Sequence, residues 1–134
     1  ATIRREGTDC TIVAVGLQVP HSLTAAEELA KDGINVEVID PRTLEPLDIG
    51  AIEKSVRKTG RLVVVDEDWQ RCGVGAEIGF QIQERAFDAL KGPVIRVDCP
   101  NIPHPVAPNL IKAVLPTPDK VVKGVKSAMG YKKK

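Results

Sequence analysis

The chain of 134 residues carries 19 Lys+Arg against 18 Asp+Glu, with 43% apolar and only 3% aromatic residues. It reads as one nearly neutral domain with enough apolar side chains for a core that needs no disulfide or metal staples. No apolar run reaches the roughly 18 residues of a membrane span, and Ala1-Thr2-Ile3-Arg4-Arg5-Glu6 lacks the apolar stretch of a secretory signal, so a soluble, cytoplasmic protein with no membrane partner is expected. A net charge of +1 gives no electrostatic ground for a nucleic-acid partner. Cys10, Cys72 and Cys99, odd in number and without C-x-x-C spacing, read as reduced, buried and unreactive thiols.

Thr2-Ile3-Arg4-Arg5 is short and charged and is set off by Glu6-Gly7-Thr8-Asp9, which suits a blunt edge strand that reverses direction. Cys10-Thr11-Ile12-Val13-Ala14-Val15, ended by Gly16, reads as a buried strand. Val19, Leu23, Ala26 and Ala30 then line one helical face, with Pro20 at the first helical position and Gly33 just past the last turn. Thr24 with Glu27 offers a capping box and a later start. Ile34 to Ile39 gives a second strand, and Asp48 caps a helix with the face Ile49, Ile52 and Val56 that Gly60 stops. Arg61 to Val65 is the third strand, Gly75 to Leu90 the longest helix, and Val94 to Val97 a fourth strand. Six prolines from Pro100 to Pro118 exclude a central strand or a long helix and predict an extended, surface-hugging loop. A last helix begins at Thr117-Pro118-Asp119 and buries Val121, Val122, Val125 and Ala128. Strands alternating with helices over connections too long for hairpins require parallel pairing and right-handed crossovers. A three-layer α/β/α sandwich over residues 1–129 follows, with a basic, disordered tail at 130–134.

The search for chemistry finds parts and no complete site. Gly73-Val74-Gly75 lies between a strand and a helix, where backbone N–H groups and the helix dipole can hold an anion. The third glycine of a dinucleotide fingerprint is out of register, however, and close helix–strand packing explains Gly73 and Gly75 without a ligand. Asp66-Glu67-Asp68 clusters at the edge where open α/β sheets bind ligands, with capping and loop hydrogen bonds as its plainer use and a metal or general-base role as the other. Trp69, the only tryptophan, on a surface loop, favours an interface anchor. His21 sits in the first turn of a helix and His104 between Pro103 and Pro105, neither beside a nucleophile motif. There is no G-x-S-x-G elbow, H-E-x-x-H pair or phosphate loop.

Four motifs in one order carry a resemblance. They are Arg42-Thr43-Leu44-Glu45-Pro46-Leu47-Asp48, Val63-Val64-Val65-Asp66-Glu67-Asp68-Trp69, Cys72-Gly73-Val74-Gly75-Ala76-Glu77-Ile78 and Pro103-His104-Pro105-Val106-Ala107-Pro108-Asn109-Leu110. Over roughly residues 1 to 129 the chain resembles the C-terminal domain of transketolase-like enzymes, in the form found in the beta subunit of 2-oxo acid dehydrogenases of the pyruvate dehydrogenase type. The resemblance implies a five-stranded, mostly parallel sheet with an antiparallel N-terminal edge strand. It also implies that the first and third parallel strands are neighbours, so that Gly16-Leu17-Gln18 and Asp66-Glu67-Asp68 form the lips of a switch-point crevice. The candidate crevice residues are Gly16, Gln18, Asp66, Glu67, Gly73 and Gly75; the candidate interface residues are Trp69, Pro103, His104 and Pro105.

The resemblance further implies that this domain supplies no catalytic residue, cofactor or metal ligand. Thiamine diphosphate and magnesium are held by the alpha subunit and by the N-terminal, pyrimidine-binding domain of the beta subunit. The implied role is assembly and docking in an enzyme, cytoplasmic or in the mitochondrial matrix, that oxidatively decarboxylates a 2-oxo acid and transfers the acyl group to a lipoyl-acyltransferase. The implied partners are the upstream domain, the alpha subunit, a second beta subunit and the dihydrolipoyl acyltransferase core. A chain that opens on an edge strand with no domain before it is then expected to be a piece of a longer protein. Arg42, in a recurring Arg-Thr-Leu turn of such relatives, has an ion pair with Asp40 or Asp48 as its simplest use. The rival reading is a small-ligand or nucleotide-binding regulatory domain that uses the crevice and the helix start at Gly73. The equivalent domain of a transketolase or deoxyxylulose-phosphate synthase is a third.

Overall fold

In a computed structural model, which describes residues 1–131, the chain runs β1 (Thr2–Arg5), β2 (Cys10–Ala14), α1 (Gln18–Lys31), β3 (Val36–Asp40), α2 (Ile49–Thr59), β4 (Leu62–Trp69), α3 (Val74–Ala86), β5 (Ile95–Cys99), α4 (Pro108–Val114) and α5 (Pro118–Gly130). A 3-10 turn over Phe87–Ala89 follows α3. One sheet of order β1-β3-β2-β4-β5 contains them. The four strands β2 to β5 are parallel and β1 pairs antiparallel with β3, Thr2 opposite Asp40.

Parallel strands covered on both faces must be apolar on both, and β2 and β4 are. Along β4, Val63 and Val65 join one core with Leu29 of α1 and Val121 and Val125 of α5. Val64 points the other way, into a second core with Ile52 and Val56 of α2 and Ile78 and Ile82 of α3. Three layers follow directly. No aromatic ring takes part: Trp69, Phe80, Phe87 and Tyr131 are the chain's only aromatics, and all are exposed.

Several local expectations hold. Asp48 Oδ1 accepts the Ala51 N–H at 3.1 Å and Gly60 closes α2. Thr117 precedes α5, whose buried side includes Val121, Val122, Val125 and Ala128. Others need correction. The first helix starts at Gln18, earlier than Pro20 or Thr24, because Gly16, at φ +59°, turns the chain and its carbonyl and that of Val15 already accept the Val19 and Gln18 N–H groups. Pro20 falls at the third helical position, where an N–H would still lack a helical partner; Thr24 hydrogen-bonds back to the Pro20 carbonyl at 3.2 Å. The buried face is accordingly Gln18, Ser22, Ala25, Ala26 and Leu29 with Val19, and Ala30 is exposed.

The strands beginning at Ile34 and Val94 start later, at Val36 and Ile95, and β5 extends to Cys99. The third parallel strand does not stop at Val65: pairing resumes beyond an irregularity, with Trp69 opposite Cys99, so Asp66 to Asp68 lie within β4. The helix expected over Gly75 to Leu90 runs from Val74 to Ala86, 13 residues, and tightens into the 3-10 turn, so that α1, at 14 residues, is the longest helix among the described residues. The proline-rich segment holds the two-turn α4, started by Pro108 at a position where its missing N–H is no loss. Cys10 and Cys99 are buried as expected, while Cys72 is exposed on a turn with φ +60°. Asp48 does not meet Arg42, whose partner is Asp40 at 3.3 Å. The tail's Lys132 to Lys134 lie outside the described residues.

Candidate functional site

β2 and β4 are neighbours, and the chain leaves them toward opposite faces of the sheet, into α1 on one side and α3 on the other. That divergence is the switch point at which such sheets bind ligands. Here the chain's own side chains bridge it. Gln18, fully buried, donates from Nε2 to Glu67 Oε1 at 3.0 Å across the gap. His21 Nδ1 lies 3.3 Å from Gln18 Oε1. An amide oxygen only accepts, so the Nδ1 of His21 carries the proton in this bond.

Asp66 fills the other half of the crevice. Its Oδ1 accepts the Asp68 N–H at 2.9 Å, and its carboxylate also faces the Gly75 N–H in the first turn of α3. A Cβ on Gly75 would sit 2.9 Å from Asp66 Oδ2, and one on Gly73 only 2.3 Å from the Trp69 carbonyl oxygen. Close approach of strand end to helix start therefore requires both glycines, and the anion at the α3 N-terminus is the protein's own. Burial, reinforced by the negative charges of Asp98 and Asp68, pushes the Asp66 carboxyl up to about 6 against the opposing N–H bonds. Asp98 is also raised by burial, with Arg96 opposing.

A sign follows for stability. The folded state keeps the Asp66 proton up to about 6, while the unfolded chain releases it near 3.8, so stability falls as pH rises through that interval. Asp66→Asn retains an acceptor for the Asp68 N–H, gives up the one that faces the Gly75 N–H, and removes the buried charge. Denaturant unfolding is expected to show this variant more stable than the parent by about 1–2 kcal/mol above pH ~7, after discounting for solvent screening, with the advantage gone below pH ~4.

The remaining candidates divide. Trp69 and Pro103 line one cavity of about 440 Å³ together with Arg71, Cys72, Asn101 and Ile102. His104 and Pro105 do not line it, and His104 is exposed in the same loop. Sequence reasoning missed Cys72, Ile102 and a second surface, where Phe87, Leu90, Pro93, Val94 and Tyr131 border a cavity of about 480 Å³ with exposed Phe80 nearby. A signal for this surface was present: Phe80 and Phe87, seven apart, fall off the helical stripe of Ile78 and Ile82. Among the described residues no group of three or more His, Cys, Asp or Glu could hold a metal ion, and no helix is long and apolar enough to cross a membrane.

Comparison with known proteins extends this geometry. The family model described as transketolase, C-terminal domain, matches residues 1–121. The beta subunit of acetoin:2,6-dichlorophenolindophenol oxidoreductase of Bacillus subtilis (strain 168) is 46% identical over 122 residues, which is 91% of this chain and 36% of that protein. The mitochondrial pyruvate dehydrogenase E1 component subunit beta of Ascaris suum is 48% identical over 130 residues, 96% of this chain and 36% of that protein. The chain thus spans little more than a third of the length of these relatives. A solved split gene transketolase, an inactive beta4 tetramer, superposes with a TM-score of 0.86 at 29% identity over 98% of this chain and 43% of its own.

Proposed function

This chain belongs to the family of transketolase C-terminal domains, and from that premise we propose that it is the assembly and docking domain of a beta-type subunit in a thiamine-diphosphate-dependent 2-oxo acid dehydrogenase. The full enzyme would oxidatively decarboxylate a 2-oxo acid and pass the acyl group to a lipoyl-acyltransferase. One observation carries the reading: the edge where this fold would take a ligand is bridged by Gln18 and Glu67 and occupied by Asp66, while every aromatic ring lies on the surface.

The residues present do not fit thiamine diphosphate. A diphosphate approaching α3 would meet the carboxylates of Asp66, Glu67 and Asp68, and like charges repel; Arg96, the cation packed beside the first turn, is already engaged by the Gln70 carbonyl and Asp98. In this reading the cofactor and its magnesium sit in the alpha subunit and in an upstream pyrimidine-binding domain. Alpha subunit, upstream domain, a second beta subunit and the dihydrolipoyl acyltransferase core are then the partners, in the bacterial cytoplasm or the mitochondrial matrix. Exposed Phe80, Phe87 and Tyr131 favour contact with another chain, since clustered surface aromatics mark interfaces.

Titration calorimetry separates this from a ligand-binding regulatory domain. Thiamine diphosphate with magnesium, inorganic phosphate and nucleotides are each expected to give no binding heat at concentrations up to about millimolar. Micromolar binding of any of them would refute the assembly reading in favour of the regulatory one.

A further inference from the structure

The six exposed apolar side chains Leu17, Leu44, Trp69, Ile102, Val106 and Leu110 share one address. Leu17 follows β2, Leu44 follows β3, Trp69 ends β4, and Ile102, Val106 and Leu110 follow β5. Each parallel strand therefore delivers at least one of them to the edge at which the strands end. Val106 is 93% exposed, a poor use of a valine on a surface meant for water. Surface leucines scattered singly need no explanation, but a rim assembled from every loop of one edge does.

The chain itself enters at that edge. Because β1 is antiparallel to β3, with Thr2 opposite Asp40, Ala1 lies beyond the C-terminal end of β3. Its backbone nitrogen sits 3.0 Å from Asp48 Oδ2, at the start of α2. The matched family is defined as a C-terminal domain, and the relatives are nearly three times as long as the part they share with this chain. A domain joined upstream through Ala1 would arrive beside the apolar rim, whereas Phe80, Phe87 and Tyr131 lie by α3 and β5, toward the opposite side of the sheet from β1. A short tether holds such a domain at an effective concentration of about millimolar, so a modest apolar contact suffices to keep it docked.

We propose that the apolar rim formed by the loops after β2, β3, β4 and β5 is the surface on which the upstream domain of the same polypeptide docks. This rests on reading the chain as the C-terminal part of a beta-type subunit, and it names the face used. The rim contains its own reporter: Cys72 is exposed beside Trp69, while Cys10 and Cys99 are buried.

The test is maleimide alkylation of the full-length polypeptide, without other subunits, read peptide by peptide by mass spectrometry. Thr8→Cys, exposed at the far edge of the sheet, is the reference site, and each rate is normalised to its value in denaturant. Docking predicts that Cys72 reacts at least about tenfold more slowly than the Thr8→Cys site, independently of protein concentration. Val106→Asp with Leu110→Asp is expected to restore most of that rate. Equal rates at the two sites would overturn the proposal. So would protection lost on dilution, which assigns the rim to a second copy, or protection unmoved by the two aspartates. Failure of the underlying family reading shows separately, as absence of 2-oxo acid oxidation when the full-length polypeptide is combined with an alpha subunit.

Discussion

Replacing Lys58 with methionine is expected to cost about 3 kcal/mol of folding stability and to lower the thermal midpoint by about 10 °C. Glu37 is the reason. It sits on β3 between Val36 and Val38 at 1% exposure, and its carboxylate is engaged by Lys58, the Gly7 N–H and Ser55. Lys58 also reaches Glu6 at 3.2 Å. Burial works against the ionised Glu37, but the hydrogen bonds from Lys58, Ser55 and Gly7 prevail and hold its carboxyl below the usual range. Without the ammonium, a buried charge remains unpaired, which costs far more than losing an exposed pair.

Adding Glu37→Gln removes that stranded charge and keeps an acceptor for the Gly7 N–H, so the double variant is expected to recover about 2 kcal/mol. The pH dependence has a fixed sign. Glu37 is depressed on folding, so its contribution is present above the ordinary value of 4.5 and disappears as pH falls through its folded value. Chemical unfolding at neutral pH should therefore show the full penalty of Lys58→Met, and the penalty should shrink in acid. An unchanged penalty in acid would show that packing of the lysine stem, and no charge pair, is what was lost.

Much of this fold was legible along the chain because its signals are local. The runs Ile12-Val13-Ala14 and Val63-Val64-Val65 allow no other use than strands buried on both faces, and Asp48 and Gly60 bracket α2 by elementary capping chemistry. What escaped is what depends on neighbours distant in sequence. Pro20 marks the first turn of a helix without saying which of its positions it occupies, because the first N–H groups all lack helical partners. The extension of β4 through Asp66, Glu67 and Asp68 is decided by Trp69 meeting Cys99 across the sheet. No polar-residue count could have announced that pairing.

The candidate crevice divides along the same line. The adjacency of Gly16-Leu17-Gln18 and Asp66-Glu67-Asp68 came from the family resemblance, and the sheet order has it. The bond from Gln18 to Glu67 and the insertion of Asp66 against Gly75 are facts of side-chain packing. They join the two lips side chain to side chain. The aromatic residues carried a signal that composition alone already held: with only four rings in the chain, none needed for the core, their surface positions speak for interfaces.

Turnover is the property on which the whole account stands, and its expected value for this chain is zero. In its crevice Asp66 accepts the Asp68 N–H and lies against Gly75, with the charges of Asp98 and Asp68 close by. Electrostatic stabilisation of developing negative charge needs donors and cations aimed at the reacting centre, and the carboxylates of Asp66, Glu67 and Asp68 offer the opposite field. The direct measurement is steady-state reduction of an artificial electron acceptor by the purified chain, supplied with a 2-oxo acid, thiamine diphosphate and magnesium. The account predicts a rate indistinguishable from the protein-free blank; sustained turnover by this chain alone would contradict it.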